Sequence, residues 1–357
     1  MKRALTLVLA VLMLTFTAVG CGNGSPSGGG TSSDSSSSSD NAPATPDKVY
    51  EFKFSTQGTP GSANLQTIYD FAEDVKQATN GGVIIEVYHS SMLGSDRETM
   101  ENIQIGTIEM GKCQAGTMAN FFPIAGALAL PYLVKDFDEI KEFVEGDVGR
   151  YIMGKVDESD DIIPLVLLCD GIRQLWTSTK PVYTLEDFAG IKLRVQQSDI
   201  YIATFEALGA YPIGLAASES IIAVQQGTVD GNEGTSSTQV AAGYWEFTKY
   251  ISATNHIAGF GFIIMNRNVF NSLPKEYQEA ILDCAKALAE AQYEGGLTES
   301  QTYLDIAIER GLTYNDISKE ELGRMAAVCR EKVWTPYFDE FKEFFALLGY
   351  NSPDDFK

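Results

Sequence analysis

VYEFKFSTQGTPGSANLQTIYDFAEDVKQATNGGVIIEVY, residues 49–88, is the stretch that decides the fold. Its first seven residues alternate apolar and polar side chains, the period of a half-buried strand. Leu65, Ile68, Ala72 and Val75 then fall on one face of a helix, with Ser62 as its N-cap and Gly81 and Gly82 as its stop. Residues 83–88 read as a second strand and 96–105 as a second helix. The order β-α-β-α implies a parallel sheet with both faces covered.

Downstream the pattern continues. A helix is expected over 137–156. IIPLVLLCD, 162–170, is a nearly unbroken apolar run, as in a buried parallel strand. In GIKLRVQQS, 190–198, Ile191, Leu193 and Val195 alternate with Lys192 and Arg194, which gives a strand with Arg194 near its end. Helices follow over 200–208 and 218–226, a short strand over 229–231 and another strand in GFGFIIMN, 259–266. Pro274 opens a helix that runs past Leu304 as one unusually long element, and 319–348 is helical and amphipathic. No internal repeat is present. A chain of 357 residues suits two domains.

Upstream, Lys2 and Arg3 precede an apolar run over 5–19 that is too short for an ordinary spanning helix, the makeup of an export signal. It ends in Ala18-Val19-Gly20-Cys21, similar to a bacterial lipobox, which marks Cys21 for lipidation; the plainer alternative is a secretory signal with a chance cysteine. Residues 22–47, GNGSPSGGGTSSDSSSSSDNAPATPD, cannot bury a core and form a flexible tether with a reach of about 25–30 Å.

The net charge of −22 gives no basic patch for nucleic acid and no lysine cluster for anionic lipid. It also makes an arginine in a cleft notable, because the general field repels anions. Enzyme chemistry lacks its parts. The only histidines are His89 and His256, each read as structural, and G-x-S-x-G, H-E-x-x-H, a Walker loop and a strand-to-helix G-x-G-x-x-G are all missing. Beyond Cys21, Cys113, Cys169, Cys284 and Cys329 have no metal spacing. Buried free thiols are the favoured reading, with a Cys284–Cys329 bridge the alternative. Binding needs less than catalysis. A carboxylate is met by the planar fork of an arginine, and Arg194 and Arg173 both stand near strand ends, where open α/β sheets collect ligands. The competing reading of each is a surface ion pair with one of the 48 acids.

Several stretches carry a family resemblance: HSSMLGSDRETMENIQIGTIEMG (89–111), FFPIAGALALPYL (121–133), GIRQLWTS (171–178), LEDFAGIKLRVQQSDIYIATFEALGA through SESIIAVQQGTVDGNE (185–233) and KYISATNH (249–256). In order and spacing they resemble the substrate-binding proteins of TRAP transporters, the DctP family, over about 52–349. The resemblance implies a periplasmic-binding-protein-like α/β fold. Two α/β domains, joined by crossing strands and a long spanning helix, would hold ligand in the interdomain cleft. The boundaries expected are 1–20 signal peptide, 21–47 anchored linker, 48–170 with 259–298 as domain I, and 171–258 with 299–357 as domain II. Hinges would lie near Gly171 and Ala258.

By the same resemblance, Arg194 binds the ligand carboxylate, Arg173 assists, and Thr56, Gln57, Asp96 and Gln114 match other pocket positions. The chain departs from the family at Ala217, where an aromatic is common, and at Gly234, where a larger side chain faces the pocket. A bulkier ligand or another residue would fill that space. Trp176 is the candidate, with ordinary core as its other reading. Gln114 stands where some members carry an acid, which weakens the case for an amine ligand. The expected function is an extracytoplasmic, lipid-anchored, monomeric receptor. It would deliver an organic acid, a sugar acid or dicarboxylate, to the small and large subunits of a TRAP permease, without cofactor, metal or catalysis. An ABC-importer or sensor-coupled receptor and, behind it, a secreted sugar-acid enzyme are the alternatives.

Overall fold

The computed structural model describes residues 48–356; the export signal, Cys21 and the tether lie outside the described residues. The strands are β1 (Tyr50–Ser55), β2 (Val83–Tyr88), β3 (Met110–Gln114), β4 (Ile162–Ile172), β5 (Gln174–Thr177), β6 (Lys192–Val195), β7 (Tyr211–Gly214), β8 (Gly231–Gly234), β9 (Tyr250–Ser252), β10 (Ala258–Asn266) and β11 (Thr313–Asn315). They form a five-stranded sheet, β2-β1-β3-β10-β4, and a six-stranded sheet, β11-β9-β5-β8-β6-β7. The fold is mixed α/β.

The opening unit forms as its pattern dictates. β1 pairs in parallel with β2 and β3. The helix Ala63–Ala78 between them is capped by the Ser62 side chain, which accepts from the Leu65 N–H. The next helix, Asp96–Gln104, starts in a capping box of Ser95 and Glu98.

The chain crosses from the first sheet to the second at Arg173, between β4 and β5, and returns through 253–257 into β10. That return explains why β10 is antiparallel to both of its neighbours. β4 runs in the same direction as β3, but among the described residues its ladder is the antiparallel one with β10, which corrects the parallel-strand expectation. Its apolar run reflects burial on both faces at a sheet edge, beneath the helices Asp147–Asp157 and Lys275–Glu309.

Three further expectations are corrected. The 137–156 helix is two, Phe137–Glu145 and Asp147–Asp157, because Gly146 takes extended backbone (ψ −168°) between them. The 229–231 strand lies instead at Gly231–Gly234. The 319–348 helix breaks after Lys319–Cys329 into a π turn and a 3₁₀ turn before Lys342–Leu347. Pro336, in that 3₁₀ turn, has no N–H to continue the ladder. The broken geometry turns Trp334 onto Phe345, Tyr350 and Phe356, with ring centroids 5.5–5.9 Å apart, and its Nε1–H donates to the Pro131 carbonyl at 3.0 Å.

The 35-residue helix Lys275–Glu309 is about 50 Å long. It gives Ile281 and Ala285 to the core beneath β1 and β2, and Leu304 and Ala307 to the core of the second sheet. Cys113, Cys169, Cys284 and Cys329 are free thiols, Cys284 being only half-buried. Among the described residues no helix is long and apolar enough to cross a membrane.

Gly149 tests the break between the two helices. A Cβ there would collide with the Val144 carbonyl oxygen. Gly149→Ala is expected to lose about 1–3 kcal/mol in urea denaturation despite alanine's better helix propensity; a stabilised variant would contradict this packing.

Candidate functional site

The carboxyl ends of β1, β3 and β6, the β4–β5 crossing and β8 converge on a cavity of about 330 Å³ between the two sheets. Parallel strands end there because the helices that follow them splay apart and leave a crevice. Gln57, Asp96, Gln114, Arg173, Arg194, Ala217 and Gly234 all line it. Thr56 and Trp176 do not.

Arg194 is 7% exposed. Its Nε and Nη2 both donate to the Leu215 carbonyl, at 3.1 and 2.6 Å. Among the described residues no carboxylate lies within ion-pairing distance of it. Burial holds its pKa below the usual arginine value. Nη1 is left to supply donors.

Arg173 is differently placed. Its Nε and Nη2 fork onto the two carboxylate oxygens of Glu233, the second at 2.8 Å, and Nη2 also donates to the Glu233 carbonyl at 3.0 Å. Glu233 is fully buried and lies 3.3 Å from His256 Nε2, while His256 Nδ1 meets Thr254 Oγ1 at 2.8 Å. Burial disfavours the charge on Glu233, but Arg173 and His256 outweigh it and hold the carboxyl well below its usual range. Burial likewise disfavours the charge on Arg173, and Glu233 more than offsets it. The histidine is structural, with burial keeping its pKa low. Neither arginine is a surface ion-pair residue.

The opposite wall is built on β3, β4 and the start of the helix Asp96–Gln104. Asp96 Oδ2 accepts the Gln114 backbone N–H at 3.3 Å, and burial raises its carboxyl pKa to about 6. Asp170 on β4 pairs with Lys112, and both are buried to within a tenth of full exposure. Gln57 is held by the Gly94 carbonyl, at 3.0 Å from its Nε2, and by the Ser91 hydroxyl.

Thr56 is buried beneath the first loop and accepts the Gly58 N–H at 3.1 Å. Trp176 is fully buried with Val224, Ile251 and Leu304 in the core of the second sheet. The physical reason is the crossing: Arg173 stands in the link before β5 begins, at the cavity, whereas Trp176 lies within β5 on the face packed into that core. The space beside Gly234 is taken by Gln239. A Cβ at 234 would collide with the Gln239 amide, which donates to the Glu233 carbonyl at 3.3 Å and accepts from Asn232 at 3.0 Å. Sequence reasoning missed Gln239, Asp170, Lys112 and Tyr244. Glu233 sat in the quoted DGNE stretch, and Lys112 signalled itself as a charge inside the apolar run MGKCQ.

Among the described residues no cluster of His, Cys, Asp and Glu could hold a metal. Among the described residues Arg173 pairs with Glu233, Lys112 behind the wall with Asp170, and the cavity-lining Arg97 with Glu101, whereas Arg194 has no carboxylate partner; the cavity thus presents one unpaired cation. Truncating Glu233 to Ala leaves Arg173 buried and unpaired, which is expected to cost about 3–5 kcal/mol in chemical denaturation; a loss under about 1 kcal/mol, the level of an exposed pair, would contradict the geometry.

The family model of the bacterial extracellular solute-binding proteins, family 7 (DctP), matches residues 54–340. The C4-dicarboxylate-binding periplasmic protein DctP of Rhodobacter capsulatus is 30% identical over 300 residues, 82% of this chain and 86% of that protein. A TRAP periplasmic solute-binding protein from Desulfovibrio salexigens, solved with bound orotic acid, is 26% identical with a TM-score of 0.80, over 86% of this chain and 100% of that one. Another from Pseudomonas putida F1, solved with bound D-glucuronate, is 25% identical with a TM-score of 0.77, over 85% of this chain and 99% of that one. The extent of the family match, carried by a fold with a cavity between two α/β sheets, shows that the chain belongs to the DctP family of bacterial extracellular solute-binding proteins.

Proposed function

We propose that this protein is the lipid-anchored receptor of a TRAP-type importer, and that it captures an organic acid through Arg194 and hands it to the membrane permease. The observation that carries the reading is a buried guanidinium on the cleft wall, held by one backbone carbonyl and lacking a carboxylate partner among the described residues. Burying that charge costs free energy. A ligand carboxylate offsets the cost through short charge-assisted bonds in a water-poor cleft.

Arg173, already forked onto Glu233, shapes the cationic end and adds its charge there. Gln57, Asp96 and Gln114 meet the remainder of the ligand, and Ala217 leaves room for it. A sugar acid or a dicarboxylate satisfies this arrangement. The named ligands of the relatives, a C4-dicarboxylate, orotic acid and D-glucuronate, all carry a carboxyl group. The two lobes, 48–170 with 259–298 and 171–258 with 299–357, close on ligand by flexing near Gly171 and Ala258. Gly171 has φ +108°, a conformation that favours glycine. Cys21 carries the lipid, and 22–47 is the leash that lets the receptor reach the permease.

Arg194→Ala is expected to lose about 2–5 kcal/mol of binding, roughly thirty- to several-thousand-fold, by calorimetry with an acid found in a thermal-shift screen. Its melting temperature without ligand should hold or rise, because an unpaired buried charge has been removed. Parental affinity in the variant would refute the clamp. Cys21→Ser in the full chain should move the protein from the membrane to the soluble fraction; continued membrane association would remove the lipid anchor.

A further inference from the structure

The wall of the cleft formed by the first sheet is arranged around Asp170. Its Oδ1 receives Lys112 Nζ and, at 3.2 Å, Gln292 Nε2; its Oδ2 receives Gln114 Nε2 at 2.8 Å. A carboxylate paired with a buried ammonium is ionised and only accepts. The Gln114 amide must therefore turn its NH₂ towards Asp170, which leaves the carbonyl Oε1. That oxygen is buried and has no hydrogen-bond partner among the described residues. Beside it, Asp96 accepts the Gln114 backbone N–H and forms no ion pair within the described residues. At this point of the wall Gln114 Oε1 and Asp96 present acceptors, whereas Arg194 and Arg173 on the other side donate; Arg97, which also lines the cavity, is paired with Glu101.

We infer that Asp170 is a positioning residue that sets the cleft's choice among acids: by fixing Gln114 with its carbonyl oxygen unpaired, it places an acceptor, beside the Asp96 carboxyl, at the point of the wall that faces the arginines. The ligand then carries one carboxylate, held at Arg194, and hydroxyl donors at its other end. A second carboxylate placed against Gln114 and Asp96 meets oxygens that do not donate to it and leaves Gln114 Oε1 unsatisfied. This inference rests on the carboxylate-clamp reading and narrows it to polyhydroxy monocarboxylates.

The test titrates the full chain at pH 7.5 with matched pairs that differ only in a terminal CH₂OH or carboxylate: D-gluconate against D-glucarate, and L-threonate against L-tartrate. In the parent, the monoacid of a pair should bind about ten- to a hundred-fold tighter, the cost of leaving a buried polar group unpaired. Asp170→Asn alone strands the Lys112 charge, so the variant is Lys112→Met with Asp170→Asn, which removes both members of the buried pair. There Gln114 can reverse its amide, and the gap within each pair should shrink to about three-fold or less. Gln114→Leu, which keeps the Lys112–Asp170 pair, should weaken the monoacid and leave the diacid nearly unchanged. Diacids binding the parent as tightly as monoacids would overturn the selecting role of the Gln114 carbonyl while the clamp stood. An undiminished preference in both variants, with melting curves showing them folded, would overturn the role of Asp170. Binding of neutral sugars and of no acid would overturn the clamp and this inference together.

Discussion

The fork of Arg173 on Glu233 is the interaction on which the junction of the two sheets depends. Arg173 is the residue at which the chain leaves the first sheet, Glu233 sits on β8 of the second, and His256 lies on the returning segment. One buried carboxylate thus ties together both crossings and a central strand. A neutral substitute would pack as well in a simple core, and buried ion pairs are weak evidence of stability. Here the pair has a directional use. The guanidinium is planar, and its two bonds to Glu233 set its orientation at the edge of the cleft.

The contrast between the two arginines shows how a strongly acidic protein can keep a cation available in a cleft. At physiological salt, exposed charges are screened beyond about 8 Å, so the net charge of −22 weakens approach more than it affects contact. Contact is governed by the cleft. Lys112 and Arg173 each have a buried carboxylate and Arg97 has Glu101, whereas among the described residues Arg194 has a backbone carbonyl and no acid. The site has a single unsatisfied positive charge, placed where water is scarce and Coulomb attraction is least diluted.

Much of this was legible in residue patterns. The β-α-β opening, the Ser62 cap, the Arg194 strand and the long helix after Pro274 are local matters of periodicity and capping, and local physics formed them. Gly146 shows the limit. A glycine within an apolar-periodic run is compatible with a continuous helix or a break, and only packing chooses. The C-terminal run was read as one helix because its apolar spacing is sound, yet Pro336 and the demand of Trp334 for aromatic neighbours break it. Trp176 is only three residues from Arg173 in the chain, yet its place within β5 puts it in the core of the second sheet rather than in the cleft.

The sequence by itself determined the α/β class, the strand that carries Arg194 and the absence of a familiar catalytic motif, because these depend on residue type and spacing within a few turns of chain. Tertiary structure decided which charges meet. Arg173 and Glu233 are 60 positions apart, Lys112 and Asp170 are 58 apart, and Gln239 occupies the room that Gly234 gives up. No spacing rule predicts such pairs, since each is made by a chain that leaves one sheet, builds another and returns. The cleft's charge pattern rests on those meetings: Arg194 faces the cavity without a carboxylate of its own because Asp170 and Glu233 are claimed by other cations.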